Sequence, residues 1–280
     1  MGNPRRRSGR DGPYHKTEPE GGSGTAQIGE RAARALRRPM ARAGCASSVY
    51  SALHSASHSR LPDALVPWLY AIIAPVHDGL ARRVAADARD VALRWLAVAD
   101  GTCVVELAPG TGLAFQRIVN ANPSGFTLGL DRSAAMLKRA RCRMARRSAG
   151  WRLRVGDARR VPVPSATVDA VYAGYLFDQW RPPIRRDVLR EVCRILRPGG
   201  RLVLQHMTLP QSAAARGWAC VARTAPLLLG RCQPIALVPD LRATGFTRLR
   251  RRYIEQNGFP SEVVYAERVR AGHTAAPSPA

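Results

Sequence analysis

The sequence predicts an α/β fold: a doubly wound, mostly parallel seven-stranded sheet that closes on a C-terminal antiparallel hairpin. Three observations predict it. Short apolar runs alternate with helix-patterned segments through the middle of the chain. The first of these runs ends in a glycine turn, VVELAPGTG, at 104–112. The last two strand-like runs have no helix between them, so one of the end strands runs antiparallel.

Residues 1–60 are rich in Gly, Ser and Arg and short of aromatic and β-branched residues. Such a segment buries too little apolar surface to offset the entropy of ordering, and a disordered basic tail is expected. Arg5-Arg6-Arg7 is followed by DGPYHKTEPEGG, where an export signal would need an apolar stretch. Met40 is a second candidate initiator, which would leave residues 1–39 outside the native protein. Order is expected from Leu61. Asp78 is a good N-cap for a helix to about Val98, with Leu80, Val84, Val91, Trp95 and Leu96 as its apolar stripe.

Strands are then expected at 103–108, 126–130, 151–155, 168–172 and 201–206, and helices at 113–120, 134–146 and 184–196. Arg197-Pro198-Gly199-Gly200 reads as a helix stop followed by a tight turn. The terminal strands are expected at 246–254 and 263–269, joined by 255–262. The domain reading is a tail (1–60), an N-terminal helical segment (61–98), a core (99–270) with an insertion at 208–238, and a disordered C-terminus (271–280).

Composition narrows the classes. No stretch of about 18 apolar residues occurs; 61–76 is broken by Pro67 and Pro75, and 218–238 carries Arg223 and Arg231. The formal net charge is +24, yet Lys16 and Lys138 are the only lysines and Arg is scattered through every segment. That distribution fits a GC-rich coding sequence with a solvated basic surface better than a nucleic-acid stripe, and it would still attract anionic lipid or RNA weakly. Cys45, Cys103, Cys142, Cys193, Cys220 and Cys232 form no CxxC pair and have no His at zinc-finger spacing. They read as reduced thiols of a cytoplasmic protein. His54 and His58 stand at i, i+4 without a third ligand, so no metal is expected.

In a doubly wound sheet, ligands bind beyond the carboxyl ends of the strands, near the switch in strand order. Four segments converge there. They are Glu106 to Gly112, Asp131 ending the second strand, Gly156-Asp157-Ala158 after the third, and Ala173-Gly174-Tyr175 after the fourth. An acid at Asp131 could hold a ribose diol, although it could equally cap the helix beginning at Ala134. Asp157 could accept from an adenine amino group, with Ala158 leaving room for the ring.

The set VVELAPGTG, GLDRSAAML, GDARRVPVPSATVDAVYAGYLFD and EVCRILRPGGRLVL resembles the class I S-adenosylmethionine (SAM) dependent methyltransferases, and among them the ubiquinone/menaquinone-biosynthesis-type C-methyltransferases. The likeness runs from about Pro67 to Arg270. It implies a Rossmann-like fold and SAM as methyl donor. It gives Glu106, Ala108, Gly110 and Gly112 the amino-acid end of SAM, Asp131 the ribose, and Arg132 a place near the adenine. Asp157 and Ala158 would flank the adenine and Ala173 the methionine portion. Ala108 departs from the pattern, which often has Gly there. The residues agree with SAM over a dinucleotide or triphosphate. Phe115 stands where a pyrophosphate turn needs its third Gly, the Gly-Lys-Ser/Thr of a P-loop is missing, and Glu106 repels phosphate but suits an ammonium.

The expected chemistry is in-line displacement of the sulfonium methyl onto a small, apolar acceptor, quinol-, lipid- or polyketide-like, at C or O. Candidates for a base are His206, Tyr175, Asp178 and His77. The segment 68–77 and the insertion 208–238 are expected to build the acceptor pocket, with peripheral contact to an anionic membrane. Three alternatives are an RNA methyltransferase, an NAD-dependent dehydrogenase of the same fold class and a non-catalytic SAM-binding protein.

Overall fold

The structure, a computed structural model, describes residues 79, 83–145, 150–225, 229 and 231–269. The predicted tails, Met40, His54, His58, the segment 68–77 with His77, and the Asp78 cap lie outside these residues.

Helix α1 (Ala86–Leu96) buries Ala88, Val91, Ala92 and Leu96, an i, i+3, i+4, i+8 stripe, and ends where Ala97 turns left-handed at φ 45°. Then follow β1 (Cys103–Leu107), α2 (Leu113–Asn120), β2 (Phe126–Asp131), α3 (Ala134–Met144), β3 (Trp151–Val155) and β4 (Val168–Gly174). A short 3-10 turn, Phe177–Gln179, leads to α4 (Pro182–Ile195), β5 (Leu196–Met207), α5 (Ala213–Thr224), α6 (Val238–Ala243), β6 (Phe246–Gln256) and β7 (Phe259–Arg268). The sheet has the order β3-β2-β1-β4-β5-β7-β6. Strands β1 to β5 pair in parallel, and β7 runs antiparallel between β5 and β6.

Every residue of β1 is buried, as expected of a central strand covered on both faces. One apolar layer joins β1, β4 and β5 to α4 and α6 through Val105, Val171, Val188, Leu189, Leu204 and Leu241. The opposite layer packs α1 and α2 on the sheet through Val91, Ala92, Ile118, Val203 and Val263. Each fully buried Leu, Ile or Val side chain contributes about 1.5–3 kcal/mol. A buried ion pair, Arg185 Nε to Asp240 Oδ2 at 2.8 Å, ties α6 to α4, with Arg186 on the other oxygen at 3.0 Å.

Several boundaries differ from expectation, including these three. Helix α3 stops at Met144. Strand β5 starts at Leu196 rather than 201, because Leu196 already pairs with Val168 and the Arg197–Gly200 turn is absorbed as an irregularity in the ladder. The terminal hairpin turns on Asn257-Gly258, both at positive φ (52° and 75°), a two-residue turn of the kind Asn-Gly favours. Residues 259–262, expected in a connection, therefore belong to β7, where Ser261 and Glu262 pair with Met207 and His206.

Candidate active site

The strand order reverses between β1 and β4, and the predicted residues sort themselves around that switch. Glu106, near the end of β1, is only 3% exposed. Its Oε2 is buried and has no hydrogen-bond partner. Burial holds this carboxyl well above the usual range, the nearby Asp131 charge adds to the rise, and Arg89 of α1 opposes it. The turn above Glu106 is tight: Ala108 takes φ 55°, Gly110 φ 56° and Gly112 φ 86°. At Gly112 a Cβ would press to 3.1 Å from Ala140 Cβ of α3, so this position demands glycine for space as well as for conformation. Ala108 holds a left-handed conformation that costs an L-residue about 1–2 kcal/mol.

Asp131 does not cap the following helix; Ser133 does, accepting from Met136 N–H at 3.2 Å. The Asp131 carboxyl instead ties two loops together. Oδ2 accepts from Gly110 N–H at 3.0 Å and Oδ1 from Ser133 N–H at 2.8 Å. Burial raises its pKa, against those amides and Arg132. Arg132 is exposed and lies near enough to Asp131 and Asp157 to favour both charges.

Asp157 is less available than its place in the sequence suggests. Oδ1 accepts from Arg159 N–H at 2.9 Å, and the Arg159 guanidinium closes on Oδ2 at 2.6 Å. Burial raises this carboxyl, but Arg159 and Arg132 outweigh it and the net shift is downward. Ala158 and Ala173 are buried in the α4-side core layer, with Ala173 paired to Leu107.

Beyond the switch lies a second polar group. Tyr172 O–H donates to Gln205 Oε1 at 2.7 Å, and Gln205 Nε2 donates to Tyr175 Oη at 3.0 Å and to Ala85 O at 3.2 Å. Tyr175 Oη is also 2.7 Å from Ser261 Oγ, and burial pushes the phenol far up. His206 is fully buried, with Nδ1 3.0 Å from Met207 O and Nε2 3.4 Å from Glu262 Oε2. Glu262 is the partner of Arg251 Nε at 2.8 Å. Asp178 Oδ2 accepts from Met207 N–H at 2.9 Å.

Sequence reasoning missed Gln205, Ser261, Glu262 and Cys232. The Asn257-Gly258 pair was the available signal for two of them, since it places Ser261 and Glu262 opposite Met207 and His206. The insertion packs as an apolar cluster, in which Ala222, Leu229 and Cys232 join Val84, Met207 and Phe259, with Tyr175 and Trp218 against it. Among the described residues, no group of three or more His, Cys, Asp or Glu is placed to hold a metal ion.

A mostly parallel seven-stranded sheet with an antiparallel β7 and a glycine turn at the β1/β4 switch defines a Rossmann-like methyltransferase fold. Residues 104–200 match a methyltransferase-domain family. The 2-phytyl-1,4-naphtoquinone methyltransferase of Synechococcus elongatus is 33% identical over 164 residues, covering 55% of this chain and 68% of that protein. The malonyl-acyl-carrier-protein O-methyltransferase of Methylococcus capsulatus is 30% identical over 171 residues, 60% of each chain. A chain from the complex between the Haloferax volcanii Trm112 methyltransferase activator and a methyltransferase superposes with a TM-score of 0.59. It is 19% identical, spans 75% of this chain and 100% of its own, and the likeness is one of fold. The chain belongs to the class I SAM-dependent methyltransferases.

Proposed function

We propose that this methyltransferase moves the SAM methyl group to a small apolar acceptor, a quinol-, lipid- or polyketide-like molecule, at carbon or oxygen. The observation that carries the reading of the donor side is Glu106: a buried carboxyl with an orphaned oxygen at the end of β1, beneath the 108–112 turn. A cationic, hydrogen-bonding group satisfies such an acid once it ionises, and the ammonium of SAM fits it where a phosphate would not. In this reading Gly110 and Gly112 let the amino-acid end approach the backbone, with Ala108 beside them. Asp131, steadied by two amides, keeps lone pairs for the ribose hydroxyls, and Arg132 packs beside the adenine. Because Arg159 holds both oxygens of Asp157, this side chain bounds the adenine pocket with Ala158 rather than offering a free acceptor. Ala173 supports the methionine portion from the core.

When bound, SAM supplies a methyl group already activated on a cationic sulfur. The chain's share is to align the acceptor, exclude water and handle one proton. In this reading the core expected at 99–270 carries the catalysis, with α1 and the described part of the insertion beside the acceptor. The name of the naphtoquinone methyltransferase relative and the aromatic contacts of Tyr175 and Trp218 with Phe259, 6.0 and 5.4 Å between ring centroids, support an apolar acceptor. No helix among the described residues is long and apolar enough to cross a membrane. The net charge of +24 supports weak surface contact with anionic lipid.

The test is incubation with methyl-labelled SAM and a panel of a prenylated 1,4-naphthoquinol, a malonyl thioester, simple phenols and total RNA. Label is expected in the naphthoquinol. Label in RNA alone would replace this reading with an RNA methyltransferase. SAM binding with transfer to none of the panel would favour a non-catalytic binding protein.

A further inference from the structure

Four candidates for a base came from the sequence, and the geometry separates the three that are described. Tyr175 is held twice, its oxygen accepting from Gln205 and sharing a hydrogen with Ser261, and burial keeps the phenol protonated. His206 is locked. A carbonyl can only accept, so the 3.0 Å contact with Met207 O places a proton on Nδ1. Its Nε2 is also buried without a hydrogen bond, but it faces the Glu262 carboxylate across 3.4 Å rather than open space, inside a residue with no exposed surface. Asp178 differs from both. It is 1% exposed, its Oδ2 is fixed by the Met207 amide, and its Oδ1 is buried with no nitrogen or oxygen donor, the Cys232 thiol being the one weak donor beside the carboxyl among the described residues. A native protein rarely leaves a buried carboxylate oxygen unbonded without using it.

The neighbourhood suits a proton acceptor. Asp178 sits on the 3-10 turn after β4, within the switch region, and the insertion covers it: its carbonyl accepts from Gln233 N–H at 3.0 Å. The charged and titratable groups around it are His206 of β5, Cys232 of the insertion and Tyr175 at the end of β4. Behind His206 lie Glu262 of β7 and Arg251 of β6. Arg251 and the imidazole answer the charge of Glu262, whereas no arginine reaches Asp178 among the described residues.

Resting on the methyl-transfer reading above, we propose that Asp178 is the catalytic base, its Oδ1 taking the proton that the acceptor gives up, with His206 as a positioning residue. For a hydroxyl acceptor, the O–CH3 bond forms as the S–CH3 bond breaks, sulfur keeps the electron pair, and the O–H proton passes to Oδ1. For a carbon acceptor, the C–CH3 bond forms as the S–CH3 bond breaks, sulfur again keeping the electron pair, and the proton left on that carbon then passes to the same oxygen. In both cases the proton returns to water after the product leaves. Burial lifts the Asp178 carboxyl to about 6, with the Met207 amide and His206 limiting the rise. The group is therefore ionised at neutral pH and a stronger base than an ordinary carboxylate.

The test compares wild type with D178N, D178E and H206Q, using methyl-labelled SAM and a short-chain prenylated 1,4-naphthoquinol from pH 5 to 9. Asn keeps an oxygen for the Met207 amide, so the fold is retained. Wild-type kcat should rise through pH 6 and level off. D178N should lose about 100-fold or more in kcat, with KM for SAM within twofold and no limb near pH 6. D178E should recover part of the rate, and H206Q should displace the limb. D178N within threefold of wild type, with its limb intact, overturns the proposal. A second readout does not need turnover. In protein carrying 13C-labelled Asp carboxyls, the resonance absent from D178N should titrate near pH 6 and move when 1,4-dihydroxynaphthalene is added. No movement overturns the assignment, whereas failure of the wild type to methylate any panel member counts against the acceptor reading instead.

Discussion

The two sides of the β1/β4 switch solve the same problem, holding acids out of water, in different ways. On the β1-β2-β3 side the partners are close in sequence. Asp131 takes amides 2 and 21 residues away, and Asp157 takes an arginine 2 residues away. On the β4-β5-β7 side they are assembled from afar: Tyr172 to Gln205 spans 33 residues, Tyr175 to Ser261 spans 86, and Gln205 to Ala85 spans 120. On the reading proposed above, the donor half is thus a local device that any chain with the right loops can build. The proposed acceptor half depends on the whole sheet closing around it, so on that reading substrate choice can vary without disturbing the donor.

The sharpest way to break the donor half is Gly112→Val. The new side chain meets α3 backbone at 3.3 Å and has to adopt φ 86°. A strained left-handed conformation costs about 1–3 kcal/mol, and overpacking costs a further ~1–3 kcal/mol. Thermal unfolding should show this loss of several kcal/mol, together with loss of SAM binding by calorimetry. A variant that binds SAM like wild type would mean the turn does not carry the donor.

Glu106→Gln is the next step down. Removing the charge leaves the side-chain shape but forfeits a charge-assisted bond of about 1.5–3 kcal/mol, so SAM affinity should fall roughly 10- to 100-fold. The sign of the pH dependence follows from burial. Glu106 is held above the ordinary carboxylate range in the free protein, so an arriving ammonium has to expel a proton. Affinity should therefore tighten as pH rises toward the free-state pKa and then level. Calorimetry in buffers of different ionisation heat should show proton release for wild type and none for the Gln variant.

The same contrast explains what could be read in advance. Glu106, Gly110, Asp131 and Asp157 stand at strand ends within a 52-residue stretch, and alternation of β and α patterns alone brings them to one edge of a sheet. What local pattern could not show was occupancy: Arg159 claims Asp157 through a rotamer, not through spacing. The acceptor half was opaque for another reason. His206 and Asp178 stand out as residue types, but their roles depend on which groups face them. Those groups, Glu262, Ser261 and Cys232, come from a last strand placed four positions too late and from an insertion without periodicity. Reading Asn257-Gly258 as a type I′ turn repairs the first error; nothing in the sequence repairs the second.

The smallest predicted effect bears most directly on whether the acceptor half is built for chemistry or for cohesion. The Asp178 carboxyl is raised from about 3.8 to about 6 by burial. Between those values the folded protein binds a proton that the unfolded chain has released, so the wild type loses stability as pH rises through that window. A shift of about two units sets a ceiling near 3 kcal/mol. Asn removes this penalty but leaves its own amide in the same dry place, at a cost of about 1–3 kcal/mol. D178N should therefore be about 1 kcal/mol more stable than wild type at pH 8, with the advantage gone at pH 4, as urea unfolding would measure. A structural anchor behaves in the opposite way, since its removal weakens the protein most when the carboxylate is charged. If D178N unfolds more easily at pH 8, the acid holds β4 to β5 and the two halves differ only in assembly. If it gains stability while losing rate, the unbonded oxygen is kept at the expense of the fold, which is what a site retained for reactivity would do.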